Sequence, residues 1–164
     1  MNQAVSNSKI SKSIFSKSKE SQHLDPYAEK FRGYYIGMTK WSDLDQLWLN
    51  VKSQMDDQWF IYALGHDVPE QTTNSESAHK FVDEIDILLR KEHGEDYCGI
   101  VYVDDVESPA FIKIFDPNNL GVSCGFSDNP PLPGWVMSKM KPCDLNVAFP
   151  PPKSRQRWWK SVFS

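Results

Sequence analysis

Ala78, Phe81, Val82, Ile85, Leu88 and Leu89 recur with a period of 3.6 residues, which predicts an amphipathic helix with a wide apolar stripe. A stripe of that width needs another layer to cover it, so the chain around it has to supply a core. Thr73 with Glu76 three residues on reads as a capping box at the start of this helix, and Gly94 stands where a left-handed cap would end it near His93. Glu76–Lys80 and Asp86–Arg90 have the i,i+4 spacing of ion pairs on the wet face. With 164 residues, 40% of them hydrophobic and 13% aromatic, the chain holds enough apolar material for one core, which excludes wholesale disorder.

The covering layer is legible as short apolar runs. Trp59 to Leu64, ended by Gly65, is an aromatic and β-branched run of strand length. Tyr97 to Val103 and Ala110 to Phe115 are two more, Val122 to Phe126 is weaker, and Trp135 to Met140 is a further candidate. The segments Asp104 to Pro109 and Asp116 to Gly121 are built of turn residues at hairpin length, so neighbouring strands are expected to be antiparallel. The path from the Trp59 run through the helix into the Tyr97 run reads as a β-α-β crossover, right-handed if those strands are parallel. A second helix is carried by Leu44, Leu47, Trp48 and Val51, with Ser42 and Asp45 as a near capping box and Asp56-Asp57 closing it. The expected architecture is one α+β domain over residues 25–149. It has a mostly antiparallel sheet of about four strands and two main helices packed on one face.

The ends differ from this body. Residues 1–24 hold seven serines and four lysines with few large apolar groups, and read as a disordered basic tail. Seven of the eleven prolines lie between Pro130 and Pro152, so residues 129–149 are expected to be extended, with Pro130-Pro131-Leu132-Pro133 a stiff spacer or a ligand for aromatic grooves. Residues 150–164 form a basic, aromatic arm: a helix there puts Trp158, Trp159, Val162 and Phe163 on one side, with Lys153, Arg157 and Lys160 opposite. The net charge of −4 divides into +3 on residues 1–24, +4 on residues 153–164 and −11 on the body between them. An acidic body repels phosphates, so sequence-specific nucleic-acid binding is not expected. No run approaches the roughly 18 apolar residues of a membrane span, and the first thirty residues lack the apolar centre of a secretory signal. The three cysteines, Cys98, Cys124 and Cys143, are an odd count without paired spacing, which points to reduced thiols and a cytoplasmic setting.

No residue pattern names a reaction. Phosphate-cradling, dinucleotide and serine-nucleophile motifs are absent from the sequence, and no cofactor or catalytic residue is assigned. His66 directly follows a strand, and Asp104, Asp105, Glu107, Asp116 and Asp128 fall at turns. Together His66, Asp104, Asp105 and Glu107 make the best alternative site, a small enzyme using a loop histidine and turn carboxylates, with or without a divalent metal. The alternative for these acids is turn chemistry alone, and no metal is assigned to them. Cys98 and Cys124, each before a glycine, read as small buried hydrophobes, and Cys143 as the exposed thiol. The preferred expectation is an accessory or protein-binding domain. Trp158, Trp159, Arg155, Arg157 and Lys160 are the candidate contacts to another protein, unless the two tryptophans dock on the chain's own core. Attachment of the same arm to a membrane surface is the second alternative.

Overall fold

The computed structural model describes residues 25–120, 132–145 and 153–163, the last with side chains from Arg157 onward. In chain order the elements are α1 (Pro26–Phe31), β1 (Ile36–Gly37), α2 (Trp41–Ser53), β2 (Phe60–Ala63) and α3 (Ser75–Glu92), followed by β3 (Val101–Val103), β4 (Phe111–Ile114), β5 (Trp135–Ser138) and α4 (Lys153–Phe163). The five strands form one sheet in the order β1-β3-β4-β5-β2, with every neighbouring pair antiparallel. Residues 1–24, the weak strand at Val122–Phe126, Cys124, Asp128, Pro130-Pro131 and the Arg155 side chain lie outside the described residues.

The period-2 rule sorts the sheet into two faces. Ile61, Met137, Ile112 and Val103 share one cross-strand row and Ala63, Trp135, Ile114 and Val101 another, and all eight belong to the core beneath the helices. Against them α3 lays Ala78, Phe81, Val82, Ile85 and Leu89, each fully buried, and α2 lays Leu44, Leu47 and Val51. Tyr62, Val136 and Phe111 point the other way into a smaller cluster, which α1 covers with Tyr27. The α+β architecture with two main helices on one face is present, and the sheet gains a fifth strand, the two-residue β1, in the stretch where Gly33 and Gly37 bracket only Tyr34, Tyr35 and Ile36.

Strands β2 and β3 are antiparallel rather than the two ends of a parallel crossover. The cause is the segment after β2: it turns back along the sheet edge, where the Thr73 N–H donates to the Trp59 carbonyl at 2.8 Å. The Ser75 N–H then reaches the Asp57 carboxylate at 2.7 Å. Helix α3 therefore starts beside the beginning of β2 and runs in the same sense, and β3, returning from its far end, opposes both.

Helix starts also differ in detail. Asn74, not Thr73, caps α3, accepting from the Ser77 N–H at 2.8 Å. Thr73 is held in the edge contact instead. Helix α2 begins at Trp41, ahead of Ser42, with the Asp43 carboxylate accepting the Lys40 N–H at 2.8 Å. Gly94 has no left-handed backbone; that conformation falls to Gly65 (φ 90°) and Gly99 (φ 66°). Gly134 is tight for another reason, since a Cβ there would sit 3.2 Å from the Asp116 Cβ and one of the two would have to shift. Of the two expected i,i+4 pairs, Asp86–Arg90 forms at 3.0 Å, whereas no such contact links Glu76 and Lys80.

Replacing Phe81 by Ala is expected to cost about 3–5 kcal/mol, because the ring is wholly buried and its loss leaves a cavity in the core. Urea titration measures this; a loss below about 1 kcal/mol would show that the stripe does not carry the core.

Candidate functional site

The proposed loop-histidine site is not assembled. His66 lies just past Ala63, whose row across the sheet is Trp135, Ile114 and Val101. Asp104 lies past Val103, at the opposite end of the strands, and three strand spacings, roughly 14 Å, separate β2 from β3 as well. His66 stacks on Trp159 (centroids 6.1 Å apart, 29° between planes). Asp104 Oδ1 accepts the N–H groups of Asp105, Ala110 and Phe111 at 2.9–3.1 Å, and its Oδ2 pairs with Lys30 Nζ at 3.1 Å. Asp105 accepts from the N–H groups of Glu107 and Ser108, and the Glu107 carbonyl accepts from Gln54. These carboxylates organise the β3–β4 loop and tie it to α1, and the loop in turn to α2. Among the described residues no group of three or more His, Cys, Asp or Glu side chains could hold a metal ion.

Two thiols are described. Burial pushes the Cys98 thiol up, as suits a small hydrophobe in the core. Cys143 is half-buried beside Asp25 rather than exposed, and burial together with that carboxylate raises it too.

The C-terminal arm forms α4 and rests on the chain's own core. Trp158 meets Trp135 at 5.3 Å and Phe81 at 6.2 Å between ring centroids, Trp159 meets Phe81 at 6.2 Å, and Val162 is buried. Arg157 and Lys160 are on the exposed side. A partner or a membrane that used the two tryptophans would have to compete with these contacts.

A lysine occupies the second sheet face. Lys113 stands in the row Tyr102–Lys113–Val136–Tyr62, and its ammonium lies 4.1 Å from the Phe31 ring centroid and 3.9 Å from that of Tyr35. It also donates to the Phe31 carbonyl at the C-terminal end of α1, where the helix dipole favours a cation. Burial pulls its pKa down from 10.5 to about 8. On this face burial also holds the Tyr27 phenol well above its usual range.

The remaining feature is a groove of about 510 Å³ between the outer sides of α2 and α3. The helices are antiparallel, as three cross-links show: Arg90 to Asp45, the Trp48 indole N–H to Asp86 at 3.1 Å, and Lys52 to Asp83. Trp48 and Val82 form its floor. Leu49, 63% exposed, and Ile87, 60% exposed, flank it. Neither residue belongs to the buried stripe of its helix. Their signal in the sequence was an aliphatic side chain at a position where each helix should be polar.

Compared with known proteins, the chain matches no family model, no curated protein and no solved structure. Function therefore rests on the site and its chemistry alone.

Two outcomes are expected. Replacing Trp158 and Trp159 together by Ala should destabilise the chain by about 3 kcal/mol in denaturant titration, and a change within about 0.5 kcal/mol would show that α4 is not part of the core. For Lys113, the charged form is penalised in the folded state, so the penalty is complete below pH 8 and disappears as pH rises from about 8 toward the unfolded value of 10.5. Wild type should therefore gain stability relative to Lys113→Met over that window, measured as the difference in thermal midpoints at pH 7 and pH 10. A constant difference would mean that the amine is solvated.

Proposed function

We propose that this chain is a small protein-binding domain whose working surface is the outer side of its helix layer. The observation that carries this reading is the pair Leu49 and Ile87, two largely exposed aliphatic side chains on adjacent helices, set among carboxylates over an indole floor. Exposing both has a cost in water that a partner's surface would offset. The separation of His66 from Asp104 and Asp105 supports a binding role over the enzyme alternative, since acid–base chemistry needs its groups within hydrogen-bond reach of one substrate. The acidic body also favours a partner whose contacting surface is cationic.

Lysine cross-linking of the full chain in an extract of its native cells tests this. Cross-links from Lys52, Lys80 or Lys91, which lie on α2 and α3, to one dominant protein are expected. A turnover that His66→Ala abolishes without unfolding the chain would instead establish an enzyme.

A further inference from the structure

We infer that the α2–α3 groove receives about two turns of a cationic amphipathic helix from the partner protein; this rests on the protein-binding reading above. The length follows from the walls. Asp45 to Lys52 on one side and Val82 to Ile87 on the other span eight and six residues, roughly 8–11 Å of helix axis. An inserted helix would meet Leu49 and Ile87 with apolar anchors spaced i, i+4 and i+7.

The charge of the occupant follows from the rim. Asp45, Asp83 and Asp86 face two cations, Lys52 and Arg90, which leaves one carboxylate in excess within a body of −11. The Asp45 and Asp83 side chains are 62% and 59% exposed, so each keeps oxygen lone pairs open to a further lysine or arginine. An anionic or phosphate-bearing ligand would be repelled.

A second copy of the chain fits less well. An isologous contact through this groove would bring the same three carboxylates of both copies together. The helix layer already carries one helix of the proposed chemistry: α4 has no acidic residue, turns its aromatic side onto Phe81 of α3 and leaves Arg157 and Lys160 outward. The groove on the α2 side of α3 has no such cover among the described residues.

The test uses the full chain and a fluorescent synthetic helical peptide with leucine at i, i+4 and i+7 and lysine elsewhere, followed by anisotropy. A second peptide carries glutamate in place of lysine. Wild type should bind the lysine peptide at least about tenfold more tightly than Leu49→Ser/Ile87→Ser or Ile87→Lys, with little binding of the glutamate peptide. Thermal midpoints should stay unchanged, since both side chains are exposed. Equal affinity of wild type and both variants would overturn the inference in favour of general attraction to an acidic surface. Equal binding of the glutamate peptide would overturn the charge argument, and a dimer in sedimentation that Leu49→Ser/Ile87→Ser dissolves would assign the groove to a second copy. If the lysine peptide fails at the groove while cross-linking still finds a partner on the helix layer, this inference falls and the binding reading stands. If neither is found, both fall.

Discussion

The apolar stripe of α3 has to be covered, and the sheet face made by Ile61, Ala63, Ile112, Ile114, Trp135 and Met137 is what covers it. Most of the remaining structure follows from that contact. Phe81, a wholly buried member of the stripe, also receives Trp158, Trp159 and Phe163 from α4, so the last element joins the core by extending the same contact. Helix α2 completes the layer, and it is stitched to α3 at one end by Arg90, which reaches Asp45 and lies over the Trp41 ring, and at the other by Lys52 and Asp83. Those polar links hold two helices at a spacing that leaves Leu49 and Ile87 outside the core. The groove is thus a by-product of how the stripe is buried, and its acidic rim is built from the residues that fix the spacing.

The elements that repeat a period were legible in the sequence. The stripe of α3, the α2 positions Leu44 to Val51 and the runs that became β2, β4 and β5 were all placed within a few residues, because burial on one face imposes a pattern that composition alone does not hide. The strand order was not legible. It depends on which strands pair across long stretches of chain, β2 with β5 above all, and backbone pairing leaves no mark on residue type. Nor was the run from Tyr97 wholly a strand: Cys98 and Gly99 donate to the carbonyls of Thr39 and Met38, outside the regular ladder, and Gly99 turns left-handed before β3 begins at Val101.

The candidate sites divide along the same line. Asp104 and Asp105 were visible as turn acids, and turn chemistry accounts for the bonds they make. The contacts of Lys113 could not be read, since a strand lysine gives no sign that α1 will fold over it and leave it half-buried against Phe31 and Tyr35. Leu49 and Ile87 were visible only as exceptions, each one residue removed from a side chain that does face the core or bridge the helices. The tryptophans of the arm showed their need for cover, but not that Phe81 and Trp135 would provide it.

The segment that turns back after β2 has one more effect. At this edge its Thr73 N–H occupies the Trp59 carbonyl just ahead of β2, and at the opposite edge β1 is only two residues long. Each border presents only a short strand, four residues in β2 and two in β1, to an incoming extended peptide. Recognition by strand addition, which reads backbone and is tolerant of sequence, therefore has little length to work with at either edge. A contact made instead by side chains is chosen by shape and charge, which makes its specificity open to change by single substitutions without disturbing the sheet.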